Sequence, residues 1–67
     1  MEFPEIEFKI EILRRGITAV QIAQHFGVHR SLITHVLKNR TKSQIRDRLL
    51  HLLHDMQSGK FTRLEDY

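Results

Sequence analysis

The sequence has no cysteine, no tryptophan, one proline and three glycines. The missing cysteine removes disulfides, thiol catalysis and thiolate metal sites together, and fits a reducing compartment. No apolar run approaches the roughly 20 residues that span a bilayer. The acidic first residues carry no secretory pattern, so the expected location is cytoplasmic, with no membrane partner. No strand pattern, internal repeat, low-complexity tract or glycine-rich phosphate loop stands out. What remains, in 67 residues, is one domain near the lower limit of independent folding, which buries only roughly 60% of its unfolded surface.

The net charge of +3 is modest, but its distribution is uneven. Residues 1–13 are acidic, with Glu2, Glu5, Glu7 and Glu11 against Lys9. Residues 14–48 carry Arg14, Arg15, Arg30, Lys38, Arg40, Lys42, Arg46 and Arg48 against Asp47 alone. Such a basic stretch is the footprint of a surface that meets phosphates.

Within that stretch, Ala19 to Val36 (AVQIAQHFGVHRSLITHV) has the pattern of a helix-turn-helix. Ala23 is small where two helices must touch, and four residues later Gly27 supplies a turn that glycine enters without steric cost. Ile22, Phe26, Val28, Ile33 and Val36 fit two short helices crossing over one core. The expected fold class is therefore all-α, a small bundle of four or five helices containing a helix-turn-helix over about residues 18–38.

Helix 1 is expected from about Pro4 to Arg15, since proline suits a first helical turn and the terminal charges suit the helix dipole. Ile6, Ile10 and Leu13 recur at helical spacing and are predicted to face the core, with Phe3 packing where the helix begins. Gly16 closes it and Ile17 follows with an apolar contact. Thr18 with Gln21 reads as a capping box, placing helix 2 at about Ala19–Phe26. Helix 3 spans about His29 or Arg30 to Leu37 or Lys38, with Asn39 in the left-handed cap position. Ser43 caps helix 4, about Gln44 to Gln57. The apolar face of helix 4 is broader than one small core requires. Helix 4 with the tail (43–67), through Leu49, Leu50, Leu53, Met56, Phe61 and Leu64, therefore reads as a homodimer interface. The alternative is that the tail folds back over this face within one monomer.

An α-helix fits the major groove, with side chains near its N-terminus reaching base edges. The outward positions of helix 3, Arg30, Ser31, Thr34, His35 and Lys38, are the base-contact candidates. Arg30 leads them, because its fork can donate two hydrogen bonds to one guanine, worth about 1–3 kcal/mol of discrimination. Phosphate contacts are expected from Thr18 and Gln21 at the start of helix 2, from His29 in the turn, and from Asn39, Arg40, Lys42 and Ser43 beyond helix 3.

The run RRGITAVQIAQHFGVHRSLITHVLKNRTKS resembles the Cro/C1-type, lambda-repressor-like helix-turn-helix family, which includes small phage and prophage regulators. The resemblance covers about Phe8 to Leu53. It implies a bundle of four or five helices, binding of double-stranded operator DNA as a dimer, and the helix matching Arg30 to Lys38 in the major groove. It also matches the phosphate-binding positions to Thr18, Gln21 and the loop Asn39 to Ser43. Two positions depart from the pattern. His29 stands where serine or threonine is common, which predicts a weaker cap for helix 3, and Asn39 stands where glycine is common.

The five histidines do not amount to a metal or catalytic site. His51, His54 and Asp55 lie on neighbouring turns, but a zinc site needs three or four convergent ligands and the H-E-x-x-H glutamate is absent. The expectation is a non-enzymatic regulator without cofactor, metal or small-molecule substrate, a dimeric repressor that occludes a promoter at an inverted repeat. The competing expectations are a protein-interaction module, such as an antitoxin or adaptor using the helix 4 face, and a targeting domain of recombinase or transposase type.

Overall fold

The computed structural model describes residues 2–41, 43–61 and 63–67. Within them lie α1 (Glu5–Arg14), α2 (Ala19–Phe26), α3 (Arg30–Leu37), α4 (Gln44–Gln57) and a short 3₁₀ turn, Leu64–Asp66. The class is all-α, and no strand occurs among the described residues. None of their helices is long and apolar enough to cross a membrane. Helix α2 packs on α3 and on the 3₁₀ turn, while α4 packs on α1 and α3.

All four helices stop by the same device. A residue with positive φ (Gly16, Gly27, Asn39 and Gly59) follows the last turn. The next amide then reaches back five residues: Ile17 to Ile12 at 2.8 Å, Val28 to Ala23 at 2.9 Å, Arg40 to His35 at 2.8 Å and Lys60 to Asp55 at 3.1 Å. This Schellman arrangement satisfies carbonyls that a helix end otherwise leaves open. It also lets short connections, three residues between α2 and α3, bring consecutive helices back over one core.

Asn39 is the one non-glycine in this set. Asparagine tolerates the left-handed region better than most residues, and its side chain adds what glycine lacks. Its Oδ1 accepts from the Phe3 amide at 2.6 Å, and its Nδ2 donates to the Phe3 carbonyl at 3.4 Å. The end of α3 thereby holds the segment before α1, and Phe3 packs edge-on against Phe8 with ring centroids 5.4 Å apart.

That clamp bears on which face of α1 turns inward. Phe8 and Ile12 are buried, whereas Ile6, Ile10 and Leu13 are 74%, 50% and 80% exposed. The predicted core stripe of α1 is therefore the solvent stripe. Phe8 lies two residues beyond Ile6, about 200° round a helix of 3.6 residues per turn, so α1 has two apolar faces and only one can pack. Three contacts favour the Phe8 face: Phe3 on Phe8, Ile17 tied back to Ile12, and Arg15, whose Nη2 donates to the Met56 carbonyl at 2.7 Å while Nη1 pairs with Glu11.

The expected dimer face is likewise corrected. Leu49, Leu53, Met56 and Phe61 are buried within the monomer, together with Ile45 and Leu52, and Leu50 and Leu64 are half-buried against the same core. The tail folds back as in the alternative. Tyr67 lies 4.8 Å from Phe61 and 5.8 Å from His25, ring to ring. Burial, and then the nearby charge of Asp55, pushes the Tyr67 phenol above its ordinary 10.0. The broad apolar face of α4 is thus filled by α1, α3 and the tail. A partner-protein reading based on that face loses its surface.

Candidate nucleic-acid interface

Helix α3 is amphipathic in the sense required of a reading helix. Ile33, Val36 and Leu37 are buried, and Arg30, Ser31, Thr34, His35 and Lys38 are all exposed. The anchoring face locks the backbone into the bundle, which leaves the other five side chains projecting from a fixed support. Neither the tail nor a neighbouring helix buries them. Among the described residues the Thr34 hydroxyl makes one long hydrogen bond, 3.4 Å, to the Arg30 carbonyl.

His29 holds the start of this helix. Its Nδ1 accepts from the Ser31 amide at 3.1 Å and lies 2.7 Å from the Ser31 hydroxyl. An accepting Nδ1 in a neutral ring leaves the proton on Nε2. Histidine thus does supply a cap here, its ring nitrogen standing as acceptor where a serine or threonine oxygen is common. Its expected phosphate role is left to Nε2 alone. His29→Ala should cost about 1 kcal/mol, the usual value of an N-cap. His29→Asp, which restores an acceptor, should recover most of it in thermal melts.

The phosphate candidates fall into three groups. At the start of α2, Thr18 and Gln21 are exposed but cap each other. The Thr18 amide donates to Gln21 Oε1 at 2.9 Å and the Gln21 amide to Thr18 Oγ1 at 3.2 Å. This capping box fixes the helix start, whose first amides point outward with the positive end of the dipole. Beyond α3, Arg40 is exposed, and Ser43 Oγ accepts from the Ile45 amide at 3.3 Å to cap α4. Lys42 lies outside the described residues. The third group is Asn39, exposed at the end of α3, whose side-chain amide is held by Phe3 through Oδ1 and through one of its two Nδ2 hydrogens.

Among the described residues, Arg30, Lys38, Arg40 and Arg48 are exposed and enter no ion pair. By contrast, Lys9, Arg14, Arg15, Lys60 and Arg63 each have a carboxylate within 4.0 Å. Arg48 was not among the predicted site residues, although it lies one turn beyond Gln44 on the exposed side of α4. The opposite holds for Arg15, which counts toward the basic stretch but works inside the molecule. Its spacing of four from Glu11 was the available signal. A depression between the end of α3 and the start of α4 is lined by Arg40, Thr41, Ser43 and Arg46 together with Glu2 and Asp47. Those two carboxylates limit how closely a phosphate can approach there.

No family model, curated protein or solved structure matches this chain.

Proposed function

We propose that this protein binds double-stranded DNA in a sequence-specific manner through α3, as a dimeric repressor of Cro/C1 type that occludes a promoter at an inverted repeat. The observation that carries the reading is the exposed row Arg30, Ser31, Thr34, His35 and Lys38, set on a helix whose other face is locked in the core. Arg30 is at the N-terminal end of that helix, where side chains reach base edges in a major groove, and among the described residues no carboxylate pairs with it. Its guanidinium donates to O6 and N7 of a guanine. The hydroxyls of Ser31 and Thr34 and the ring of His35 read neighbouring edges, and Lys38 meets the backbone or a second guanine. The start of α2 and Arg40 hold register on phosphates without reading sequence.

Selection of bound fragments from a random DNA pool tests this. The expected product is an inverted repeat with half-site centres about 10 base pairs apart, with a guanine in each half-site. Enrichment of no sequence would remove the reading. In the selected site, Arg30→Ala should cost about 1–3 kcal/mol and relax preference at one base pair, leaving random DNA nearly unaffected. Equal losses on selected and random DNA would take Arg30 out of the reading role.

A further inference from the structure

The largest apolar exposure on the molecule is Ile6, Ile10 and Leu13 on one face of α1. These residues follow one another at spacings of four and three, so they form a continuous stripe along a ten-residue helix. They are not needed for the core, which Phe8 and Ile12 supply from the other side. Glu7 and Arg14 flank the stripe on one edge, seven residues apart and both exposed; among the described residues Glu7 enters no ion pair, while Arg14 rests 3.7 Å from Glu11 of its own helix with its side chain still open to solvent. On the other edge Lys9 already holds Glu5 of its own helix at 3.6 Å.

We infer that this stripe is the pairing surface of two copies of the chain, with α1 antiparallel to α1 of its partner about a two-fold axis near Ile10. In that arrangement Ile10 meets the partner's Ile10, and Ile6 meets the partner's Leu13. Glu7 then falls beside the partner's Arg14, and Arg14 beside the partner's Glu7, so the charges match along the whole flank. In a parallel pair each flank would instead face the partner's opposite flank, so Glu7 and Arg14 would lie across from the Lys9 side and the Glu7–Arg14 match would be lost. The helix dipoles also oppose favourably only in the antiparallel pair. An interface closed by a two-fold must be self-complementary, and this charge pattern is.

Three side chains on a short helix fall below the roughly 800 Å² per partner of a standard stable interface. The free protein is therefore a weak dimer, filling as concentration rises. This inference supplies the pairing surface that the inverted-repeat reading needs, and it is tested without DNA so that either can fail alone.

Sedimentation equilibrium of the full chain from about 10 µM to about 1 mM, a range suited to weak interfaces, should show a reversible monomer–dimer equilibrium. Ile10→Glu, at a half-exposed position that the fold tolerates, should weaken association more than tenfold by placing a charge in the apolar contact. Its circular dichroism should stay that of the parent. Glu7→Arg and Arg14→Glu should each weaken association, and the double exchange should restore it, as a residue pair facing across the two-fold requires. A parent that remains monomeric throughout, or a dimer unmoved by Ile10→Glu, overturns the inference. A dimer lost in Ile10→Glu but without recovery in the double exchange overturns the antiparallel register.

Discussion

Leu52→Ala should lower folding stability by about 2–5 kcal/mol, the cost of a large cavity where a buried leucine stood. Leu52 is fully buried at the middle of α4, in the layer that α1 and α3 share with Leu49 and Met56. A domain of this size has a total stability of roughly 3–10 kcal/mol at about 0.05–0.15 kcal/mol per residue. The substitution therefore removes much of it, and a chain largely unfolded near 37 °C is the expected result. Leu50, half-buried on the side of the same helix, serves as the control. Leu50→Ala should cost under half as much. The comparison separates a monomer core from a dimer interface at α4. If α4 closed its core only against a second copy, the parent midpoint would rise steeply with protein concentration. The structure predicts instead that the weak α1 pair shifts it little and that the Leu52 effect is the same at 5-fold different concentrations. Denaturant melts at two concentrations decide the matter.

The two misplaced faces share one cause. Helix boundaries depend on local chemistry, and there the sequence is legible: the Thr18–Gln21 box and Ser43 mark the starts of α2 and α4, and the left-handed positions at Gly16, Gly27 and Asn39 follow the ends of α1, α2 and α3. Which side of a helix turns inward depends on what it meets. On α1 the better-spaced stripe, Ile6, Ile10 and Leu13, lost to Phe8 and Ile12 because residues far away in sequence fix the helix's rotation. Asn39 grips Phe3 across 36 positions, and Arg15 reaches the α4 carbonyl of Met56 across 41. No periodicity contains that information. On α4 the breadth of the apolar face was read correctly, but its neighbours were not. A face that borders α1, α3 and a returning tail needs to be broad. For the site, outward positions on α3 followed directly from its 3.6-residue period, since a helix with three anchoring residues leaves the rest outside. The hydrogen-bonding roles of His29 and Asn39 were hidden because both residue types serve equally as ligands and as caps.

Raising salt from 50 to 200 mM should weaken DNA binding about a thousandfold, a slope near −5 for log affinity against log salt. The number follows from which cations are available. Arg15 is spent on Glu11 and Met56, and Arg14 rests against Glu11. Arg30, assigned to a base, releases no phosphate counterion. Among the described residues, Lys38, Arg40 and Arg48 remain exposed and enter no ion pair. With Lys38 on the backbone rather than on a second guanine, these would make three phosphate contacts per protomer and six for two protomers on an inverted repeat, and at about 0.9 per contact six contacts give the stated slope. One protomer alone gives a slope near −3 and a loss of only about fortyfold over the same range. The salt slope on the selected site therefore counts protomers on the DNA, independently of any dimer seen without it. Arg40→Ala sharpens the count, because each protomer loses one contact. The slope should fall by about two if a pair is bound and by about one if a single copy is. A slope near zero would mean that these side chains meet no phosphate, and the DNA-binding proposal would fall with it.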